Sequence, residues 1–337
     1  MTKYLIPLVG CLIAFSFQAA AQTLSPQQWL TRMQQSSHDL NYQFSYVALH
    51  QGRSEPIRLS HVSSKGKDMF AMEYLNGPVR QYIRRDNKVS FFEPDHQPYT
   101  LNHTKMPGLL PALFNMPLPE VFDSYHALLA GQSRVVGRQA QIVRLAPESA
   151  DKYSYVLWLD QDNGLLLRVD VLTPQGQLVG QYLGVTLDVM QKPTKALLAL
   201  FNLKLPKTLE ASDVYQAPQR KLDWSIGWLP QGFKVISRDR HLLVGVNQPV
   251  DYMMAYDGLV LVSIYVAPVT ATTAEQKQLV RLGSTNLFTF VNSERMKVTV
   301  VGQIPAQSAL HIAESVRLKL PSKTQTEQPA LSGAASS

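Results

Sequence analysis

Residues 153–170 read YSYVLWLDQDNGLLLRVD, two apolar runs on either side of Asn163-Gly164. Asn-Gly suits a tight hairpin turn because both residues tolerate a positive φ. The first run carries aromatic and β-branched side chains, which favour strands, at Tyr153, Tyr155, Val156 and Trp158. This stretch therefore predicts an antiparallel β-hairpin, and with it a mainly β protein.

Similar strand-like runs extend to both sides of this hairpin. Large apolar side chains at Tyr42, Phe44 and Tyr46 alternate with polar ones, the period of two that is typical of a half-buried strand. Turn sequences such as Asn76-Gly77-Pro78 separate the runs that follow. Ser25-Pro26 fits the start of a single leading helix, with Ser as N-cap. We expect one helix followed by a β-meander.

Residues 106–130 interrupt the alternation. Prolines stand at or just before short apolar runs at Pro107, Pro111, Pro117 and Pro119. Proline is tolerated in the first turn of a helix but not deeper. The pattern predicts two or three short helices across one face of the sheet, after which the strands resume.

The first 21 residues have the features of a cleavable signal peptide. Lys3 supplies a positive start, residues 4–17 are apolar, and Ala19-Ala20-Ala21 fits a cleavage site. The apolar run is shorter than the roughly 20 residues of a spanning helix. We expect cleavage near Ala21 and export; a retained anchor or a lipoprotein cut at Cys11 are the alternatives.

The rest of the chain divides by periodicity. Alternation fades between residues 192 and 223, where prolines interrupt charged and small residues, as in a linker. The predicted fold class is α+β, mainly β with helices. The predicted divisions are a signal peptide (1–21), a large β-rich domain (22–191), a linker (192–223), a small C-terminal α+β domain (224–320) and a disordered tail (321–337).

Composition and motifs argue against an enzyme. The one cysteine of the 337 residues, Cys11, falls in the predicted signal peptide, so the predicted mature chain has no thiol for disulfides, catalysis or zinc. Phosphate-loop, dinucleotide, H-E-x-x-H and G-x-S-x-G motifs are absent from the sequence. We therefore predict no catalytic residue, no metal and no cofactor. The net charge of +7 indicates anionic partners weakly, and an ordinary basic surface explains it equally well.

Aromatic residues and methionines are concentrated in the strands and the Pro-rich helices. If the sheet curls and the helices only partly fill it, its concave side becomes an apolar cavity suited to acyl chains. An ordinary core is the alternative. The candidate cavity residues are Phe44, Tyr46, Phe70, Met72, Tyr74, Tyr82, Phe91, Leu110, Leu113, Phe114, Trp158, Leu167 and Tyr182.

Two further sets of residues are candidates for binding. Arg80, Arg84, Arg85 and Lys88 would suit a lipid phosphate at a cavity mouth, or would simply keep a strand edge charged. In the second domain, tryptophan and other large side chains beside the turn Pro230-Gln231-Gly232 are either interface anchors or core. The candidate partner-binding residues are Trp224, Trp228, Leu229, Phe233 and Tyr265.

Several of these segments, in this order and spacing, resemble the RseB/MucB family of sigma-E regulators. No single motif is diagnostic, but the joint match covers nearly the whole predicted mature chain. The segments are Leu40-Asn41-Tyr42, Phe91-Phe92-Glu93-Pro94 with Pro98-Tyr99-Thr100-Leu101, residues 153–160, Leu167-Arg168-Val169-Asp170, residues 228–233, Tyr256-Asp257-Gly258-Leu259 and residues 301–305.

The resemblance implies a fold and a function. It implies an N-terminal unclosed β-barrel similar to LolA and LolB, with short helices in its mouth, and a smaller C-terminal domain. It further implies a periplasmic protein that binds the periplasmic segment of an anti-sigma factor of RseA or MucA type. Such binding shields the anti-sigma factor from proteolysis and restrains the envelope stress response.

Lipid or lipopolysaccharide sensing is also implied, whereas nucleic acid is not an expected partner and homo-oligomerisation stays open. A periplasmic lipid or lipoprotein carrier is the alternative, but a carrier needs no second domain. An exported hydrolase is a third hypothesis, which requires a nucleophile and a base brought together by folding.

Overall fold

A computed structural model describes residues 24–50, 52–64, 66–209, 223–241, 250–269 and 277–319. The predicted signal peptide, residues 210–222 of the predicted linker and the predicted tail lie outside these ranges. No helix within the described ranges is long and apolar enough to cross a membrane.

Helix α1 (Pro26–Asp39) opens the described chain. Ser25 is its N-cap, and the Ser25 hydroxyl accepts a hydrogen bond from the Gln28 backbone N–H while the Gln28 side chain accepts one from the Ser25 N–H. This capping box satisfies donors that a helix start otherwise leaves open. Trp29, Leu30 and Met33 lie on the buried face of the helix. The predicted leading helix and its cap are confirmed.

One antiparallel sheet of eleven strands follows α1. Its strands are β1 (Asn41–His50), β2 (Arg53–Ser64), β3 (Lys67–Tyr74), β4 (Gln81–Arg85), β5 (Lys88–Phe92), β6 (Tyr99–Leu101), β7 (Tyr125–Val135), β8 (Arg138–Pro147), β9 (Ser154–Asp160), β10 (Leu166–Leu172) and β11 (Leu178–Met190). Strands β1 to β6 and β7 to β11 each form a meander, and β1 pairs with β11 to join them. Because β6 and β7 stay at the edges, the sheet is unclosed, as predicted.

The hairpin that indicated the fold is β9–β10. Strand β9 ends at Asp160 and β10 begins at Leu166, so residues 161–165 form a longer turn than the two-residue turn that Asn163-Gly164 suggests. The Asp160 carboxylate explains the difference, because it accepts hydrogen bonds from the backbone N–H of Asp162 (3.0 Å) and from Asn163 Nδ2 (3.0 Å). A side chain thus organises this turn.

The connection between the two edge strands carries helices α2 (Leu109–Phe114) and α3 (Leu118–Phe122). Their buried side chains join the core that α1 covers. The prediction of helices up to residue 130 was wrong at its end, because Leu128 and Leu129 lie in β7 and pair with β8. A short apolar run does not by itself distinguish helix from strand.

The segment after β11 packs back onto the sheet. Helix α4 (Lys195–Phe201) covers the outer face of β2, β3 and β4, the face opposite α1. Leu197 is the buried contact of α4, and Thr208 bridges to Thr100 in β6. Residues 192–209 of the predicted linker therefore belong to the first domain, whereas the Asp223 carbonyl accepts a hydrogen bond from the Lys319 backbone N–H of the second.

The second domain contains a six-stranded antiparallel sheet and a short two-stranded one. Its elements are β12 (Trp224–Ile226), β13 (Lys234–His241), β14 (Val250–Tyr256), β15 (Leu261–Pro268), β16 (Lys277–Leu282), β17 (Thr285–Val291), β18 (Met296–Gly302), α5 (Ala306–Glu314) and β19 (Val316–Leu318). The larger sheet has the order β13-β14-β15-β18-β17-β16, and α5 packs on β17 and β18. The small α+β domain is confirmed.

The C-terminal helix is shorter than the sequence indicated. The apolar spacing predicted helix from residue 305 to 318, but α5 ends at Glu314, and Val316 pairs with Ile226 in the two-stranded sheet. Residues 316–318 thus pair as a strand with the distant residues 224–226 and do not form the last turn of the helix. The buried apolar residues of both domains form one continuous core.

Candidate functional site

The predicted cavity residues pack mainly against one another. Phe44, Tyr46, Phe70, Met72, Tyr82, Phe91, Leu110, Leu113, Phe114 and Tyr182 are buried in the main core, with Tyr74 half-buried against it. Phe70 stacks with Phe114 of α2 at a centroid distance of 6.1 Å, and the Tyr46 hydroxyl contacts Met72 Sδ at 3.6 Å. In this conformation the helices fill the concave side, and the acyl-chain role of these residues stays a prediction.

Two of the predicted cavity residues lie elsewhere. Trp158 and Leu167 belong to a separate small cluster with Val135 and Ala140, not to the main core. Trp158 alternates with Leu157 and Leu159 of the main core, so the pleat alone places it on the other face. Leu167 has the spacing of Val169 and Val171, which face the main core, but a register shift between Leu166 and Arg168 places it on the other face. Simple alternation does not anticipate such a shift.

Each of the four predicted headgroup cations has a partner within the fold. The pairs are Arg80 with Glu55 (2.8 Å), Arg84 with Asp68, Arg85 with the Phe201 carbonyl (2.5 Å) and Lys88 with Thr208 (3.2 Å). Arg84 lies over the Phe70 ring in the main core, whereas Arg85 contacts the C-terminal end of α4 on the outer face. They do not converge on one opening, and phosphate binding by them stays a prediction.

The predicted partner-binding residues are mostly core. Trp224 and Phe233 are buried, and Trp228 stacks on His311 of α5 at 3.9 Å between centroids. Leu229 packs against the main core, and the Tyr265 ring lies 5.0 Å from that of Tyr252. They hold the second domain together and do not form one exposed patch.

A buried ion pair joins the two domains. Lys152, in the β8–β9 loop, places Nζ 3.5 Å from Oδ2 of Asp257, in the β14–β15 turn. Lys152 Nζ also donates to the carbonyls of Ser124 (3.3 Å) and Gln231 (3.1 Å). The Tyr125 hydroxyl donates to Asp257 Oδ2 at 3.2 Å. Both charges are therefore paired and hydrogen-bonded, as buried charges must be.

The electrostatics of this pair follow from burial. Removal from water lowers the pKa of Lys152, and the charge of Asp257 opposes that shift. Burial also raises the pKa of the Tyr125 hydroxyl well above its ordinary value, so Tyr125 stays a neutral hydrogen-bond donor. The other Asp257 oxygen accepts from the backbone N–H groups of Leu259 (3.0 Å) and Val260 (2.7 Å). The carboxylate thus fixes its own turn as well as the domain junction.

Further contacts surround the ion pair. Asn286 Nδ2 donates to the Tyr153 hydroxyl at 3.0 Å, and the Ser308 hydroxyl donates to the Asp151 carbonyl at 2.9 Å. Gly232 has φ of +85°, and a Cβ atom there would lie 1.7 Å from the Ser124 hydroxyl oxygen. The two domains approach so closely at this turn that glycine is required.

Beside the junction lies a cleft of about 440 Å³ between the domains. One wall consists of residues 104–109 and of Pro111, Ala112 and Asn115 on or next to α2. The other wall consists of Tyr256, residues 259–261 and Ser263 of the β14–β15 hairpin, with Thr285 and residues 301–303. The cleft therefore shares the Asp257 turn with the ion pair, and its size and mixed lining suit a ligand or a peptide segment.

Comparison with known protein families shows which family this chain belongs to. The family model described as MucB/RseB N-terminal domain matches residues 25–207, and that described as MucB/RseB C-terminal domain matches residues 218–317. This chain belongs to the MucB/RseB family. The Sigma-E factor regulatory protein RseB of Salmonella typhimurium is 30% identical over 317 residues, covering 94% of this chain and 98% of the relative. The MucB protein of Pseudomonas aeruginosa is 25% identical, over 94% and 97% of the two chains.

A solved structure agrees with the MucB/RseB assignment at the level of fold. The structure titled as the complex of Pseudomonas aeruginosa MucA/MucB matches with a TM-score of 0.70 and 22% identity, covering 88% of this chain and 99% of that one. The arrangement of two domains is thus that of the MucB/RseB fold. The family predicted from the sequence is confirmed.

Tyr125, Lys152 and Asp257 form one site that no local pattern in the sequence predicts. Asp257-Gly258 enters the sequence-based predictions only as part of a segment that resembles the MucB/RseB family, and Tyr125 lies in residues 106–130, for which the sequence predicts short helices. Two segments that carried the MucB/RseB resemblance, residues 228–233 and 256–259, supply the turns of the second domain that meet the first. The family resemblance pointed to those turns, but no local sequence pattern indicated their contact with Lys152.

Proposed function

We propose that this protein binds the periplasmic segment of an inner-membrane anti-sigma factor, shields that segment from proteolysis and so restrains the sigma-E envelope stress response. The observation that carries the proposal is the pair of MucB/RseB family matches, which together span both domains. Relatives matched over 94% of this chain are named for sigma-E or AlgU regulation, and a related MucB has been solved in complex with MucA.

The cleft between the domains is the proposed binding place. Its apolar walls come from Met106 and Leu109 on one side and from Leu259 and Leu261 on the other. Polar groups such as Asn115 and Gln303 are interspersed among them. Apolar surface supplies affinity, and a few fixed polar groups supply orientation. An extended segment of the anti-sigma factor fits this combination.

Calorimetric titration with the periplasmic segment of the anti-sigma factor from the same organism tests the proposal. Saturable binding is expected from the protein as exported. Ala112→Arg, which fills the cleft from α2, should weaken binding at least tenfold. Ala196→Arg, at an exposed position of α4, is the matched control and should bind as the unmodified protein does. Absence of binding by the unmodified protein would overturn the proposed function.

Export to the periplasm belongs to the same proposal. The charged start, apolar run and Ala19-Ala20-Ala21 of the sequence support a signal peptide removed near Ala21. N-terminal sequencing of protein recovered from the periplasm should begin at or near Gln22. A regulatory role without catalysis fits the family, and incubation of the anti-sigma segment with the protein alone should leave that segment intact.

Lipid sensing is the further element that we propose. Acyl chains would have to enter the space that α1, α2 and the concave side of the sheet now fill, so lipid entry requires these helices to move. Because coupling between two ligands is reciprocal, lipid that weakens anti-sigma binding must itself bind more weakly to the complex. Titration with lipopolysaccharide, with and without the anti-sigma segment, tests this: equal affinities would exclude coupling.

A further inference from the structure

Lys105 stands out in the cleft because of its charge. Among the described residues that line the cleft, it is the one with a charged side chain. Its ammonium nitrogen lies 4.7 Å from the centre of the Tyr256 ring on the opposite wall. No carboxylate oxygen within the described ranges lies within 4.0 Å of the Lys105 ammonium nitrogen, the distance that defines an ion pair. The cation is thus held across the cleft by an aromatic face and not by an acid.

In this arrangement the Lys105 ammonium group can still form a hydrogen bond with a carboxylate, which is the strongest interaction of a lysine. A cation–π contact at an exposed site is weak, whereas a hydrogen bond between an ammonium and a carboxylate is charge-assisted and stronger. By comparison, Lys152 at the neighbouring junction already has its carboxylate in Asp257. Lys105 therefore differs from the structural lysine beside it, since no carboxylate of the described residues pairs with its ammonium group.

We propose that Lys105 is a specificity-determining residue of the cleft, which selects a partner segment carrying a carboxylate next to apolar side chains. The apolar side chains would lie against Met106, Leu109 and Leu259, and the carboxylate would displace the ring of Tyr256 as the contact of the ammonium group. The inference rests on the proposed function, because the occupant is the anti-sigma segment. It adds the chemistry by which that segment is recognised.

The position of the charge also sets how binding depends on salt. Lys105 is exposed at the rim of the cleft, so its interaction with an incoming carboxylate is screened by ions. Acidic segments should therefore bind faster at low ionic strength than at high ionic strength. A segment held by apolar contacts alone would show little dependence on salt.

The test is a calorimetric comparison of Lys105→Gln, Lys105→Arg and Lys297→Gln with the unmodified full chain. Lys297 is an exposed lysine at the far end of β18, so its replacement gives the same change in net charge. The probe is the periplasmic segment of the anti-sigma factor from the same organism, at about 50 and 300 mM salt. Lys105→Gln should bind about tenfold more weakly at the lower salt, with a smaller difference at the higher one. Lys105→Arg and Lys297→Gln should stay close to the unmodified protein.

The partner side of the contact is identified by a double-mutant cycle. Each Asp or Glu of the segment is changed to Asn or Gln in turn, and one change should weaken binding to the unmodified protein but not to Lys105→Gln. If the unmodified protein binds while Lys105→Gln binds equally well at both salt concentrations, the inference is overturned and the proposed function stands. If the unmodified protein does not bind at all, the proposed function itself fails.

A competing occupant is the end of this chain, residues 320–337, which contains Glu327. A variant ending at Lys319 distinguishes the two occupants. If truncation tightens binding of the probe and abolishes the effect of Lys105→Gln, the tail is the partner of Lys105 and the inference is overturned. If Lys105→Gln weakens binding by the same factor in the truncated chain, the carboxylate belongs to the anti-sigma segment.

Discussion

Lys152 Nζ and Asp257 Oδ2 lie 3.5 Å apart and connect the two domains through a buried ion pair. Lysine and aspartate are rarely buried, and the desolvation of both charges offsets much of their attraction. We expect such a pair to contribute specificity, because an arrangement of the domains that buried one of the two charges without the other would be unfavourable. The junction thus fixes the geometry of the neighbouring cleft.

Removing one member of this pair should be costly. Lys152→Met leaves the Asp257 carboxylate buried without its counter-ion, and we expect a loss of about 3 to 5 kcal/mol in the free energy of unfolding. Lys277→Met is the control, because its pair with Glu314 at 2.9 Å is exposed and should contribute under about 1 kcal/mol. Urea unfolding followed by tryptophan fluorescence measures both. Equal losses in the two variants would contradict a structural role for the buried pair.

A comparison of Gly232 with Gly176 distinguishes the cost of backbone strain from the cost of steric contact at the domain junction. Gly232 has φ of +85° and Gly176 has φ of +80°, so alanine introduces comparable backbone strain at each, about 1 kcal/mol. A Cβ atom at Gly232 would in addition meet the Ser124 hydroxyl, whereas nothing lies within 4 Å of one at Gly176. Gly232→Ala should therefore destabilise the protein more than Gly176→Ala.

Ser124→Ala in the Gly232→Ala background should restore part of that stability, because it removes the oxygen that collides. Thermal unfolding of the three variants gives the comparison. A Gly232→Ala protein that unfolds at the same temperature as Gly176→Ala would mean that the domains are not in close contact at this turn.

Acidic pH should reduce the stability of the first domain, because the Asp68 carboxylate becomes protonated. His38 Nδ1 lies 3.7 Å from Asp68 Oδ2, and His61 Nε2 lies 3.8 Å from the same oxygen. These two imidazoles and the Arg84 guanidinium hold the pKa of the Asp68 carboxyl well below its ordinary value of 3.8. A lowered carboxyl pKa contributes stability that is complete above the unfolded value and is lost as the pH falls below it. We expect that contribution to disappear from about pH 4 downward.

The matched variant is Asp68→Asn, which cannot ionise. It should be less stable than the unmodified protein at pH 7, and the gap between the two urea midpoints should begin to narrow as the pH is lowered below about 4. Asp95→Asn, at an exposed position between β5 and β6, serves as control and should follow the unmodified protein throughout. A constant difference between Asp68→Asn and the unmodified protein at every pH would exclude this source of pH dependence.

Helix α4 should behave as part of the first domain. Leu197 is buried against Val62, Met69 and Ile83, and its replacement by alanine should cost about 2 to 4 kcal/mol. Leu198, the next residue, is 37% exposed, so Leu198→Ala should cost under about 1 kcal/mol. Guanidinium unfolding of the two variants checks this. If both had the same small effect, residues 195–201 would be a free linker.

Local patterns accounted for much of the fold. The alternation at Tyr42, Phe44 and Tyr46 predicted β1, and all three side chains are buried. The cap at Ser25 predicted α1 because its hydrogen bonds join residues three positions apart. The boundaries that failed, at Leu128 and Val316, are places where a distant strand supplies the pairing.

The candidate site was less accessible to such reasoning. Arg84 and Arg85 are neighbours in sequence, and their charges suggested one patch, yet they lie on opposite sides of the sheet. Side chains in a strand alternate between faces, so a run of cations in a strand is divided by the pleat. Lys105 gave no local signal, because its role depends on the wall that Tyr256 provides.

The sequence by itself determined the mainly β architecture, the leading helix with its cap, the small second domain and the membership of the MucB/RseB family. Those features depend on periodicity, turn chemistry and the order of segments, all of which are readable along the chain. Only the tertiary structure decided how the concave side is filled, where the cations point and which residues join the domains. Tyr125 and Asp257 are 132 residues apart, and the hydrogen bond between them exists only because both domains have folded against each other.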